Sequence, residues 1–351
     1  MEIRFGNYLP EQFHGEGVGG LPSVRVAVIG TGQWAREHAR AFYANPYTEL
    51  VGVRGRDPQR IEARAAEFQT RPYTSIAAML EKEKPDLVSI CVENAGHYET
   101  TLEVLEAGFP AFVEKPFVFE LEQARTLLEI AARQDLFFAI DFNHRYSEPS
   151  LRARRLSEEG ELGDVIFASW RFSGNHDFKL EHPYIQLLES DCHGIDLLMH
   201  HVGEIESVAA EMTDKTGKDG YGTVAIVLRF ANGAVGTILG SYDSSYAYPG
   251  ANTLEINGTK GRVWAEDTVK SLVFSRVDDA MARVWKSTYF DDESRYFTGT
   301  LDRHVADMIR CFRQGLPPPV PADQGYQVLR VSYAAIRSFE EGRRVSISEV
   351  S

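Results

Sequence analysis

Between Ser23 and Asp141 the chain alternates short β-branched apolar runs with segments of helical pattern. That alternation restricts the region to a parallel, doubly wound sheet flanked by helices. The first run, Val24-Arg25-Val26-Ala27-Val28-Ile29, passes directly into Gly30-Thr31-Gly32-Gln33-Trp34-Ala35, and a helix follows to about Tyr43. Glu49 to Val53 reads as the second strand. Asp57-Pro58 opens the second helix, because aspartate is a good N-cap and proline suits the first helical position. A short strand near Tyr73 precedes a helix from Ser75, and Leu87 to Val92 is the fourth strand. A helix from about Gly96 to Glu106 ends at Gly108. Pro110 to Val113 is the next strand, followed by a helix from Leu121 to Arg133 and a strand from Leu136 to Asp141.

After Asp141 the alternation stops. Asn143-His144-Arg145-Tyr146 is a polar junction before a helix from Ser147 to Glu158, and Val165 to Phe172 is a strand. Glu189 to His200 reads as a helix, and the stretch from Val208 to about Phe290 is strand-rich. Ala231-Asn232-Gly233 and Gly258-Thr259-Lys260-Gly261 are hairpin signals within it. Two helices, Leu301 to Arg313 and Gln324 to Gly342, close the chain around Pro317-Pro318-Pro319. The expected organisation is an arm over 1–22, a dinucleotide-binding domain over 23–142, and an α/β substrate and oligomerisation domain over 143–351. The last domain is built on a largely antiparallel sheet, and its C-terminal helices can pack back on the first domain. The Gly-rich arm reads either as flexible or as lying across a neighbouring subunit.

At 351 residues the chain is long enough for two domains, and its 43% hydrophobic content is ordinary for a soluble globular protein. Lysines and arginines number 37 against 51 acids, a formal charge of −14. That balance disfavours nucleic acid and anionic membrane as partners. The three cysteines, Cys91, Cys192 and Cys311, are widely spaced and fit neither a zinc nor a redox motif. With no apolar run near the roughly 18 residues of a membrane span, and no apolar segment behind Glu2 and Arg4, a cytoplasmic protein is expected.

Gly30-Thr31-Gly32-Gln33-Trp34-Ala35 has the form G-x-G-x-x-A. Gly30 permits a tight turn, Gly32 lets backbone approach a pyrophosphate, and Ala35 lets the helix pack on the strand. The N–H groups near Gln33 and Trp34 then face the phosphates. Because the motif follows a strand and opens a helix, it predicts dinucleotide binding. NAD binding would place an acid at the tip of the second strand, roughly 20 residues on. The chain has Arg54-Gly55-Arg56-Asp57 there, and Asp57 is accounted for as a helix cap. Arg56, and with it Arg54, can pair with a 2′-phosphate, so the sequence points to NADP, with NAD the other option. The competing reading makes both arginines solvated surface residues.

Phe112-Val113-Glu114-Lys115-Pro116 ends a buried strand in an acid, a base and a proline. Ligands bind beyond the carboxyl ends of such strands, so Lys115 can serve cofactor and substrate together. Farther on, Glu189, His193, Asp196 and His200 share a sector roughly 60° wide at about 100° per residue. Three readings remain: a proton-transfer histidine oriented by a carboxylate, a metal site on His193, Asp196 and His200, or a solvated face. His201 is expected on the surface. His97 follows the fourth strand toward the presumed cofactor crevice. His176, His182 and Tyr184 lie in a polar loop suited to lining a substrate pocket. Taken singly, His97, His144, His176 and His182 each read as surface residues.

Together these features resemble the Gfo/Idh/MocA oxidoreductases over nearly the whole chain from Val24 to Ile347. The glycine motif, Glu114-Lys115-Pro116, Asn143-His144-Arg145, the helix with His193 and Asp196, and Leu254 to Gly261 fall in that family's order. The resemblance implies a Rossmann domain, then an α/β domain whose open antiparallel sheet forms a homodimer or homotetramer interface. It implies hydride transfer between nicotinamide C4 and a hydroxyl-bearing carbon of a sugar or cyclic polyol. Lys115 would hold the reacting oxygen and His193 would exchange its proton. Glu189 stands where the family usually has aspartate. The cofactor would be contacted by Gly30, Thr31, Gly32, Gln33, Trp34, Arg56, Glu93, Asn94, His97, Glu114, Lys115, Asn143 and Arg145. The substrate would be contacted by Lys115, His176, Tyr184, Glu189 and His193. Glu93-Asn94 replaces a proline frequent in the family. A cis bond before Pro116 would also fit, although trans is the ordinary expectation. No metal is expected. Glycoside hydrolysis by transient oxidation, and a non-catalytic cofactor-binding regulator, are the alternative functions.

Overall fold

The computed structural model describes residues 22–175, 182–245, 250–288 and 296–350. The N-terminal arm, apart from Pro22, and His176 lie outside the described residues. The strands of the N-terminal region are β1 (Val24–Ile29), β2 (Thr48–Arg54), β3 (Arg71–Tyr73), β4 (Leu87–Ile90), β5 (Ala111–Glu114) and β6 (Phe138–Asp141). They form one sheet in the order β3-β2-β1-β4-β5-β6. β1 pairs in parallel with both β2 and β4, so the chain changes direction across the sheet between β1 and β4. That is the switch point at which such sheets open a ligand crevice.

The helices of this half are α1 (Gln33–Ala44), α2 (Pro58–Glu67), α3 (Ile76–Glu83), α4 (His97–Glu106) and α5 (Leu121–Arg133). Local chemistry explains their starts. The Asp57 carboxylate accepts from the Gln59 and Arg60 N–H groups, and Ser75 accepts from Ala78 N–H; each such cap stabilises by about 1 kcal/mol. β4 stops at Ile90, two residues before the expected Val92, and a short 3-10 turn, Asn94–Gly96, precedes α4.

The chain divides into two compact units that do not follow it linearly. The first holds residues up to Val113, Glu129–Ala139 and Leu301–Pro321. Its core packs Val26, Val28, Phe42, Leu87 and Phe112 with Leu301, Val305 and Met308, so part of the helix Thr298–Arg313 belongs to it.

The second unit holds Glu114–Leu128, Ile140–Thr300 and Ala322–Ser351. Its strands are β7 (Val165–Ser173), β8 (Ile205–Thr213), β9 (Thr223–Phe230), β10 (Val235–Ser241), β11 (Asn252–Gly258), β12 (Gly261–Glu266), β13 (Ser271–Arg276), β14 (Ala282–Lys286) and β15 (Val345–Ser346). The sheet runs β14-β13-β12-β11-β7-β10-β9-β8-β15, antiparallel except for the β7–β10 pair. Both expected hairpins form, β9–β10 and β11–β12. Helix α6 (Glu148–Glu158) is capped by Ser147. The next helix begins earlier than Glu189, with a π-helical turn over Gln186–Asp191 that continues as α7 (Cys192–Val202). Gly194 lets α7 lie against β7, since a Cβ there would sit 2.3 Å from the buried Trp170 ring. No helix among the described residues is long and apolar enough to cross a membrane.

Candidate active site

The first unit carries a cleft of about 400 Å³ at the switch point. It is lined by the whole glycine motif, Gly30 to Ala35, together with Arg54, Arg56, Arg60 and Glu93. Gly30 has φ +134°, and a Cβ there would lie 1.9 Å from the Cys91 carbonyl oxygen, so glycine is required at this turn. At Gly32 an added Cβ would meet nothing within 4 Å: that face of the loop is open. No side chain caps the start of α1 and no acid lies in its first turn. The helix therefore presents N–H groups and positive dipole to the cleft, which fits a dinucleotide pyrophosphate.

Arg56 lies at the rim, ion-paired with Glu93 at 2.6 Å; both side chains are more than half exposed. Arg60 donates to the Thr31 carbonyl at 3.0 Å. Asp57, the first carboxylate after β2 in the chain, is engaged at the start of α2. Neither Asn94 nor His97 is among the residues lining the cleft. His97 is buried rather than on the surface, with Nε2 3.2 Å from the Val92 carbonyl.

The second unit gathers a different chemistry. Lys115 follows β5 through a cis peptide bond to Pro116, not the ordinary trans form. Its backbone N–H donates to the buried Glu114 carboxylate (2.9 Å), and its Nζ to the Glu189 carbonyl (3.5 Å). His193, on the first turn of α7, stacks on His144 with ring centroids 3.9 Å apart and planes 14° from parallel. His144 is thus a buried neighbour of His193 and not the surface residue expected. The Nδ1 atoms of both rings are buried without a hydrogen-bond partner among the described residues. Burial, then the nearby Lys115 ammonium, pushes His144 down to about 3. Burial, His144 and Lys115, in that order, hold His193 well below the usual histidine range. Both imidazoles are neutral at pH 7, and a neutral imidazole can accept a proton.

The acids expected on the same stripe as His193 take separate paths. The Tyr242 hydroxyl donates to Glu189 at 3.3 Å and lies 2.6 Å from Ser190 Oγ. Asp196 receives a bidentate ion pair from Arg145, at 2.8 and 2.5 Å, in a nearly dry setting. The π-helical turn breaks the regular 100° progression, and such turns recur at functional sites. With its carboxylate held by Arg145, Asp196 does not stand open as a metal ligand. His201 is buried, with Nε2 3.0 Å from Ser150 Oγ, contrary to the surface position expected.

Other expected site residues have partners inside this unit. Asn143 donates to Thr300 Oγ1 (3.0 Å), and Arg145 also reaches Gln324 (3.2 Å). Tyr184 donates its hydroxyl to Glu340 (2.8 Å) and stacks on Tyr221. Sequence reasoning missed the association of His144 with His193, though it had marked the Asn143-His144-Arg145 junction. It missed Tyr242 altogether, and nothing local marks a tyrosine just past the end of a strand.

A dinucleotide cleft at the switch point and a lysine–histidine cluster at a second sheet domain define a two-domain nicotinamide-dependent oxidoreductase. Residues 24–142 match the family described as Gfo/Idh/MocA oxidoreductase, NAD-binding Rossmann fold, and residues 150–264 match the Gfo/Idh/MocA C-terminal domain. The chain belongs to the Gfo/Idh/MocA family and is a nicotinamide-dependent dehydrogenase acting on CH–OH groups. It is 26% identical over 339 residues to a myo-inositol 2-dehydrogenase of Thermotoga maritima, covering 93% of this chain and 99% of the relative. It is 27% identical over 351 residues to a D-glucoside 3-dehydrogenase of Escherichia coli, covering 92% and 97%. A levoglucosan dehydrogenase solved with NADH shares the fold with a TM-score of 0.84 at 19% identity, covering 93% of this chain and 99% of that one.

Proposed function

We propose that the protein oxidises a secondary hydroxyl of a sugar or cyclic polyol, or runs the reverse reduction, with Lys115 and His193 at the reacting oxygen. The observation that carries this reading is Lys115 Nζ lying 3.5 Å from the Glu189 carbonyl, four residues before the buried His193. A bound nicotinamide would supply the hydride acceptor or donor at its C4. Lys115 donates a hydrogen bond to the substrate oxygen and stabilises negative charge as the proton leaves. His193 takes that proton as general base and returns it in the reverse direction. Glu189, held by Tyr242, receives a neighbouring hydroxyl of the substrate. The inositol and glucoside dehydrogenases among the relatives support this substrate class.

Residues 23–142 bind the dinucleotide and supply Lys115, and residues 143–351 bind substrate and a second copy of the chain. The preferred cofactor is NADP(H). The absence of an acid at the tip of β2 and the presence of Arg54 and Arg56 at the cleft support it. The Arg56–Glu93 pair is exposed, and such pairs are worth about 0–1 kcal/mol, so a 2′-phosphate can displace it. Self-association uses the open face of the nine-stranded sheet, where Phe167, Val227, Val235 and Leu239 are exposed and Phe167 and Val235 are register partners. The three cysteines are buried free thiols, which suits the reducing cytoplasm.

The test is a screen of polyols and sugars with NADP⁺ and NAD⁺, following absorbance of the reduced nicotinamide. On the substrate so found, Lys115→Ala and His193→Ala should each lower kcat by about 10²–10⁴-fold. Wild-type kcat in either variant refutes the assigned role. Arg56→Ala should raise KM for NADPH more than for NADH; equal effects refute the cofactor preference.

A further inference from the structure

If His193 is the base, as proposed above, something must hold its ring. The carboxylate four residues before it is engaged by Tyr242. Nδ1 of His193 has no hydrogen-bond partner among the described residues. The contact made by its ring face is the stack on His144. Phe142 meets His193 edge-on at 6.3 Å between centroids, and Phe297 meets His144 edge-on at 5.2 Å. His144 itself sits in a short 3-10 turn, Asn143–Tyr146, pinned on both sides by Asn143 to Thr300 and by Arg145 to Asp196.

We propose that His144 is the positioning residue of the base, its ring face fixing the plane of His193 where a carboxylate would otherwise orient it. An imidazole donates and accepts in its own plane. Two rings stacked 14° from parallel therefore do not pass a proton directly to one another. His144 acts by contact, not as a relay. The orphan Nδ1 atoms bear on the same point. For Nε2 of His193 to accept the substrate proton, Nδ1 must carry the hydrogen of the neutral ring, and no acceptor among the described residues orients it.

The charged and titratable groups around the pair favour its neutral form at rest or are already satisfied. Lys115 disfavours a second positive charge on either ring. Asp196 is neutralised by Arg145. Burial pushes Asp191, Cys192 and Tyr242 toward their neutral forms. Glu189 is held by the Tyr242 hydroxyl. The result is a base that is neutral at rest, ready to take the substrate proton, and fixed in orientation without a paired carboxylate.

The experiment compares wild type, His144→Ala, His144→Phe and His193→Ala in the full chain. One readout is an NMR titration of ¹⁵N-histidine-labelled protein with NADPH bound. The other is turnover against pH with NADP⁺ and myo-inositol or methyl D-glucoside. In His144→Ala the His193 resonances should titrate at least about one pH unit higher. Its kcat should fall about 10–100-fold, with substrate KM changed less than about threefold, as expected for a misaligned group. His144→Phe keeps the ring face and should recover most of the lost kcat. If His144→Ala loses the folded circular-dichroism spectrum, His144→Gln replaces it with the same expectation. Wild-type titration and kcat in the ring-less variant overturn the proposal, as does a His144→Phe variant no better than it. Wild-type turnover in His193→Ala refutes the base assignment instead, so the two failures are distinguishable.

Discussion

Replacing Arg145 by methionine removes the guanidinium that holds Asp196. The Asp196 side chain is 1% exposed and that of Arg145 11%, so water cannot take over the lost partner. Burial pushes the Arg145 guanidinium down, but the Asp196 carboxylate more than offsets it and leaves the group above its ordinary value. Breaking a buried pair by deleting one partner costs about 3–5 kcal/mol, because the remaining charge loses the guanidinium it was desolvated against. At about 2–4 °C per kcal/mol for a unit of this size, Tm should fall by about 6–20 °C. Urea unfolding at pH 7.5, followed by tryptophan fluorescence, is the assay. Trp170, Trp264 and Trp285 lie in the same unit as the pair, and only Trp34 lies in the other. Asp196→Leu added to Arg145→Met removes both charges and should restore part or all of the loss. The reasoning is refuted if Arg145→Met stays within about 1 kcal/mol of wild type, or if the double variant is less stable than either single one. The double variant also separates two roles. NADPH affinity that survives in it makes Arg145 a fold residue; affinity lost in it makes Arg145 a cofactor contact.

Gly30→Ala places a methyl group 1.9 Å from the Cys91 carbonyl at φ +134°, so NADPH affinity by fluorescence titration should fall at least about tenfold; a change under twofold refutes the turn's role. Gly194→Ala drives a methyl group into the Trp170 ring, whose side chain is buried, and should destabilise by about 1–3 kcal/mol in urea; a neutral result means α7 can shift off β7. His201 is held down to about 3, chiefly by burial, against about 6.5 when unfolded. The unfolded chain therefore binds the extra proton first, and stability is lost as pH falls below about 6.5 and goes on falling toward 3. Between pH 7.5 and 5.5 this one group should contribute about 1.4 kcal/mol of that loss, so His201→Phe should flatten the stability profile by that amount. An unchanged slope would show that His201 is not buried neutral.

The sequence alone determined whatever is decided within a few residues. The run of β-branched residues into Gly30 specifies strand, turn and helix because each needs only its own neighbours. Asp57 and Ser75 mark helix starts because a cap bonds to N–H groups two or three positions away. Asn232-Gly233 specifies a hairpin for the same reason, with Gly233 at φ +89°. The absence of an acid at the tip of β2 is equally local. Lys115 was legible as a strand-end residue, and His193 as one member of a polar stripe.

What only the tertiary structure decided involves partners far apart in the chain. The stripe of Glu189, His193, Asp196 and His200 assumed a uniform helix, whereas the π-helical turn sends Glu189 to Tyr242 while Asp196 meets Arg145. His144 and His201 read as surface residues because a lone histidine carries no local mark of burial. Their environment is supplied by α7 stacking on the 3-10 turn after β6 and by α6 packing beside α7. The segment Leu301–Pro321 joins the first unit through the apolar face of its helix, a choice that periodicity leaves open between any two cores. Turns, caps and glycine requirements are short-range and survive in the one-dimensional pattern. The neutral charge state of His193 and the ring that holds it arise from desolvation and contact, and these exist only once distant segments exclude water together.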